Sequence, residues 1–523
     1  MKKSFASVES LLLIILAIFS FFVNYYYANI GVYPIDTFAF FDTAYNILID
    51  RHPFKDIWVT TGFLVDYFQA FFFKLLGVKW SSYVIHGSLF NLIITVAFYL
   101  TLINFKFDKY ISFLYALAFS ILCYTISATP FAYIHSLVLS FLSFLFFILA
   151  IKNKSEIFFF CLPVTMLLSF LCMQTPSTYV NIIILFGLFF YFINFYNSKL
   201  IMTFFLGSLF VLVLFLIFIS FYEISIIKIY QQYILFPLSM GEYRLSTNND
   251  SQISLLARLT FRNLVGHFKF INIFIVSFAL LTFYDLLKKK IDKEWLIINI
   301  SIIFLGITLI FNQLITSNQT YIFSLIPFMG AFFHIYVKKR FKNVKIVNFI
   351  IFSIIIFSSL KYHFVYNEQR KFMDLQNVNL SESVDAAKID IKLKGLKWIT
   401  PSVYTPNEEI DLILETLASL KKENQTKMVL THYQFFSLLL EENLNIPNRW
   451  YSPDNISYPL KGHKYFEYYK NHFSQIIEQN KINIIYTVGD PVFENFLVYL
   501  QNVCFDKKSL NKMTNIYTLN KCN

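Results

Sequence analysis

The residues best equipped for chemistry crowd into one stretch, Ile30 to Gly77. There Asp36, Asp42, Asp50, Asp56 and Asp66 follow a long apolar segment directly. Carboxylates beside a bilayer are costly unless they face water, a partner or a substrate. A carboxylate within reach of a hydroxyl can take its proton as the hydroxyl attacks, which is worth about 10²–10⁴-fold in rate. Asp36 is the first choice for such a base. Standing just after Pro34, it suits a helix N-cap equally well, and one residue can do both. Asp42 reads either as a group that orients an acceptor or as part of a wet helix face. Lys55 and Asp56 read either as a pair aligning donor and acceptor or as an exposed ion pair. Cations for a leaving phosphate lie further on, at Arg244, Arg258, Arg262 and His267. Arginine grips phosphate through a planar fork, and the same residues suit anionic lipid headgroups. Amides at Gln174, Asn318 and Gln319 fit sugar hydroxyls or, more plainly, solvated turns.

The chain that must hold these groups has 523 residues, 57% hydrophobic and only 15% charged, against about 25% charged in soluble domains. About eleven apolar runs approach the roughly 20 residues that a spanning helix needs. They lie near 9–29, 81–104, 110–126, 131–151, 157–172, 179–197, 201–221, 268–287, 295–314, 320–337 and 344–360. Residues 361–523 read as an ordinary water-soluble domain. The expected layout is a transmembrane unit over 1–360, with loops at 30–80 and 222–267, followed by a separate domain over 361–523.

Within the first loop, 36–50 and 63–76 read as amphipathic helices lying in the interface plane. Asp42, Thr43, Asn46 and Asp50 share a face of the first; Asp66, Gln69, Ala70 and Lys74 form a stripe on the second. In the second loop, FPLSMG at 236–241 reads as a break between two interfacial helices. The tail alternates helix-like runs (408–421, 434–443, 463–479, 491–501) with strand-like runs (428–433, 482–488, 515–519), an α/β pattern with a small sheet.

Lysine and arginine occupy alternate short loops, from Lys2 and Lys3 through Lys106, Lys152, Lys199 and Lys288 to Lys338 and Lys345. Loops 127–130, 173–178 and 315–319 hold none. The positive-inside rule then places the N-terminus in the cytoplasm and both large loops and the tail outside. The net charge of +12 is thereby accounted for by topology and does not imply nucleic acid. The first apolar run is long and lacks a small-residue cleavage pattern, so it reads as an anchor rather than a signal peptide. Cys504 and Cys522 are expected outside, where a pair can form a disulfide; two free thiols are the alternative. No Cys/His spacing suggests zinc.

Asp36, Phe40, Ala44 and Leu48 recur at one spacing. PFKDIW (53–58) follows, then an aromatic-rich helix ending in KLLG (74–77). This order, after one span, resembles the GT-C superfamily of integral-membrane glycosyltransferases, in particular the protein O-mannosyltransferase and aminoarabinose-transferase-like branch. Thr37 stands where that family often has a second acid, and Gly62-Phe63 where it has Gly-Pro or His-Pro-Pro. The resemblance implies a GT-C-like, multi-pass α-helical membrane protein with juxtamembrane helices in the first outer loop and an extracytoplasmic C-terminal α/β domain. It implies inverting transfer of a sugar from a polyprenyl-phosphate donor to a glycan, lipid or protein acceptor on the outer face, with Asp36 as base. Some branches use a divalent ion, Mg or Mn, and others none. The implied location is the bacterial inner membrane. The alternatives are a polysaccharide or lipid-linked oligosaccharide flippase or transporter, and an O-antigen polymerase or ligase. Transporters place charges at the midplane and show repeated halves, neither of which is visible here.

Overall fold

The structure, a computed structural model, describes residues 2–246, 260–316, 321–341, 345–451, 457–489, 491–500 and 503–521. It is mostly helical, with a small sheet near the C-terminus. Every apolar run read from the sequence carries a helix. Among the described residues, 8 helices are long and apolar enough to cross a membrane. Lys109–Leu122, Glu156–Cys172 and Leu325–Arg340 are shorter. Ala132–Asn153 is the most enclosed helix, while Ser198–Phe221 shows most of its apolar surface outward, as a lipid-facing helix does. Inside the bundle Gln69 Oε1 lies 2.9 Å from His86 Nδ1, His86 Nε2 lies 2.8 Å from His135 Nε2, and His135 Nδ1 lies 2.8 Å from Tyr124 Oη. These histidines are thus helix-packing hydrogen-bond partners.

The first loop departs from the single 36–50 helix expected. It forms two short helices, Pro34–Thr37 and Phe41–Leu48, because Phe38 and Phe40 in the turn between them are both buried. Most of the polar face is also not wet: Asp42 is 1% exposed and Thr43 and Asn46 are 0% exposed, and only Asp50, past the helix end, is exposed. The tail covers the rest. Phe63–Leu76 forms with the bounds expected, yet Asp66, Gln69 and Ala70 of its polar stripe point inward and only Lys74 is exposed.

The break expected at 236–241 is instead helix, running from Ile226 through a π-helical turn at Tyr230–Leu235 into Phe236–Ser246. Proline lacks an N–H and crowds the carbonyl four residues back, which a wider turn relieves. For Pro237 that carbonyl belongs to Tyr233, and it accepts a 2.5 Å hydrogen bond from Gln174 Nε2.

In the tail, strand Lys427–Thr431 pairs in parallel with Ile484–Val488; the latter pairs antiparallel with Thr514–Lys521, beside which Val503–Ser509 forms an edge. Helices Pro406–Lys422 and Phe466–Gln479 flank the sheet. The boundary near 360 does not separate two cores. Phe38 meets Phe435 at 4.9 Å and Trp398 at 6.0 Å. Backbone bonds join Val32 N–H to the Ile399 carbonyl (2.8 Å) and Trp58 N–H to that of Pro447 (2.8 Å).

Candidate active site

Asp36 sits in the first turn of Pro34–Thr37, behind Tyr33, whose side chain makes no capping bond. The N-cap reading of Asp36 is thereby corrected. Its carboxylate instead accepts a hydrogen bond from the Trp450 side chain and opens on a cavity of about 480 Å³. The cavity is bounded by the first loop (Asp36, Phe40, Thr60, Thr61), the starts of two bundle helices (Tyr133, Gln174, Thr175) and the end of a third (Asn312, Thr316). Helix Phe236–Ser246 adds Pro237 to Gly241 in part, and the tail adds Arg449 and Trp450. Burial pushes the Asp36 carboxyl up to about 7, with exposed Asp374 adding to the rise and the Trp450 bond opposing it. A carboxylate titrating near neutrality is suited to both accept and release a proton.

Arg449 forms part of the wall. Its Nη1 lies 2.9 Å from Asp66 Oδ2, its Nη2 lies 3.0 Å from Thr61 Oγ1, and its guanidinium lies 4.6 Å over the Phe40 ring. Asp66 is fully buried, and burial drives its carboxyl up while Arg449 opposes the rise. Asp66 Oδ1 and Arg449 Nε have no hydrogen-bond partner. Gly62, next to Thr61, lets Ala132 and the Phe40 ring close on this loop. It is left-handed (φ 68°), and a Cβ there would stand 2.8 Å from the Ala132 Cβ and 3.0 Å from the Phe40 ring.

The other anticipated residues divide. Gln174 lines the cavity, but its two amide hydrogens are held by the Thr60 and Tyr233 carbonyls. Asn312 lines it too; its Oδ1 accepts the Tyr133 hydroxyl at 2.8 Å and its Nδ2 has no partner. Asp42 does not reach the cavity. It caps the tail helix Phe436–Leu440, accepting the Leu438 N–H at 2.9 Å, which corrects both of its earlier readings. Asp56 accepts the His52 N–H at 2.8 Å, and Lys55 pairs with exposed Glu223 at 3.1 Å. Neither lines the cavity, and they do not form the exposed pair expected with each other: the partner of Lys55 is Glu223, while Asp56 ties its own loop. Arg262 is exposed and His267 packs against Phe323; neither lines the cavity. Arg244 lies one turn past Gly241 in its helix. Arg258, Asn318 and Gln319 lie outside the described residues. Cys504 is disulfide-bonded; Cys522, its expected partner, lies outside them too.

Arg449 and Trp450 were not anticipated. One signal existed: Arg449 is the lone arginine of residues 371–523, among many lysines. Among the described residues no three His, Cys, Asp or Glu side chains converge; Asp36 faces an indole and Asp66 an arginine.

A second, apolar hollow of about 690 Å³ runs between helices Gln174–Asn194 and Lys293–Thr316 and shares Tyr179 with the first cavity. The arrangement joins a proton acceptor, a guanidinium, aromatic walls and a greasy annex. No protein-family model matches the chain, and no curated protein matches it.

Proposed function

We propose that this protein is a membrane glycosyltransferase that moves a sugar from a polyprenyl-phosphate donor to a glycan, lipid or protein acceptor at the outer face of a bacterial inner membrane. The observation that carries the reading is that the two hollows are neighbours sharing Tyr179. Half-buried Asp36 opens on a largely apolar, aromatic-walled cavity with a few polar groups, and Tyr179 lines both that cavity and an apolar groove between two bundle helices. A donor with a sugar at one end and a long hydrocarbon at the other needs both.

Asp36 takes the proton of the acceptor hydroxyl as its oxygen attacks the anomeric carbon. The bond to phosphate breaks on the opposite side and the phosphate leaves as an anion. One base suffices, and the configuration inverts. Arg449, paired with Asp66, is the described cation in the cavity wall, and Arg244 lies in the helix that walls the cavity. Aromatic faces such as Tyr133, Tyr179 and Tyr321 suit sugar rings.

Orientation rests on the sequence. The lysine-rich loops face the cytoplasm, the eleven helices cross in the GT-C manner, and the cavity and tail face outside. The test is transfer in proteoliposomes from polyprenyl-phosphate sugars to lipid or glycan acceptors, wild type against Asp36→Asn. Activity in the wild type, lost in a variant of equal abundance and stability, supports the reading. Equal transfer by both sinks it. Mass spectrometry of envelope lipids and glycans from a deletion strain identifies the acceptor.

A further inference from the structure

We infer that the opposite end of the bundle carries a binding site for a phosphate-bearing anion, with a phospholipid headgroup as the preferred source. Helix Trp80–Asn104 begins beside Phe38 of the first loop, 5.8 Å between rings; its far end leads into Phe105 and Lys106. There Lys106, Lys152, Lys338 and Lys339 surround a hollow of about 360 Å³. They come from three different parts of the chain: the turn after Trp80–Asn104, the last turn of Ala132–Asn153 and the last turn of Leu325–Arg340.

The described carboxylates do not balance them. Glu294, the one acid in the lining, lies 3.5 Å from Lys154, and Asp292 lies 2.7 Å from Lys339. Lys152 Nζ bonds Asn104 Oδ1 at 2.9 Å and sits 4.0 Å over the Phe105 ring. Lys106 and Lys338 have no carboxylate within ion-pair distance among the described residues. A positive-inside bias requires lysines near this membrane face; it does not require them around one concavity, where mutual repulsion opposes the arrangement. A phosphate among them relieves that repulsion. The walls are Phe105, Phe107 and Trp295, apolar surface that suits the glycerol and upper acyl chain of a lipid better than a free ion. The inference does not depend on the sugar-transfer reading.

The test uses the full-length protein in nanodiscs of phosphatidylcholine doped with phosphatidylglycerol, with bound lipid read by native mass spectrometry. Wild type retains phosphatidylglycerol selectively. Lys106→Gln with Lys338→Gln weakens retention about tenfold or more, while Lys288→Gln with Lys289→Gln, at the same end but outside the hollow, leaves it unchanged. Inorganic phosphate at millimolar concentration distinguishes the sources: no displacement marks a lipid site, and displacement marks a site for soluble phosphate with the same lysines. Retention by the Lys106/Lys338 variant equal to wild type overturns the site. So does equal loss in the control pair, which would mean general surface attraction.

Discussion

Two carboxylates six residues apart in one loop meet opposite fates. Asp36 faces a cavity and is held by a single indole donor. Asp42 is sealed beneath the tail, where Leu438 and Ser437 donate to it. Both are lifted by burial, Asp36 to about 7 and Asp42 to about 6. The resemblance is electrostatic only. A buried carboxylate whose acceptor sites are filled by backbone N–H groups is a fastener, while one that borders open volume is available to a ligand. A raised pKa alone does not separate the two; what each oxygen touches does.

The strongest way to break this contrast is exchange to the amide at each site. Asp36→Asn is expected to lower transfer by about 10²–10⁴-fold with the fold intact. Stability follows a definite sign. With the folded carboxyl near 7 and its ordinary value 3.8, the folded state holds more protons between those values, so wild-type stability declines as pH rises from about 4 to about 7. The asparagine removes that decline, so the variant gains on wild type between pH 4 and pH 8, by about 4 kcal/mol for a fully enclosed carboxyl and roughly half that for one partly screened by solvent. A thermal-melt series across pH measures it. Melting that runs parallel to wild type would show that Asp36 is solvated and the cavity misassigned.

Next in size is Arg449→Met, which strands buried Asp66. A broken buried pair costs about 3–5 kcal/mol, readable as lost melting temperature in detergent. The double variant Arg449→Met with Asp66→Leu should recover most of that loss. If it does not, the pair is not the clamp between tail and loop that its 2.9 Å contact suggests. Asp42→Asn ranks third, at about 1–3 kcal/mol, because the amide fills the space but turns a donor toward the Leu438 N–H. Transfer per folded molecule should stay near wild type, the reverse of Asp36→Asn.

Much of this frame was legible beforehand. The eleven helix positions, the 63–76 helix and three of the four strands of the main sheet follow from apolar runs and alternation. The edge strand Val503–Ser509 escaped notice because VCFDKKS is largely exposed and carries no periodic apolar signal. What local pattern could not reveal was contact at long range. Asp42, Thr43 and Asn46 read as a wet face because the tail that buries them lies some four hundred residues away. The same blindness hid Arg449 and Trp450. The helix over 236–241 was misread because FPLSMG looks like a breaker, and only Gln174, supplied from another helix, answers the carbonyl that Pro237 displaces.

The smallest effect is the sharpest probe of the contrast. The Trp450 side chain donates to the Asp36 carboxylate and so favours its charged form. Trp450→Phe keeps an aromatic face and removes the donor. A hydrogen bond of this kind is worth about 0.5–1.5 kcal/mol, and about 1.4 kcal/mol moves a pKa by one unit, so Asp36 should rise by roughly half to one unit. Transfer needs the deprotonated base, so the ascending limb of the pH–rate profile moves to higher pH by that amount. The deficit is a few-fold at pH 7 and shrinks toward pH 9, where both forms are ionised. A role in stacking alone predicts a deficit that is the same at every pH. Asp42→Asn, whose carboxylate never meets the cavity, should leave the limb where it is.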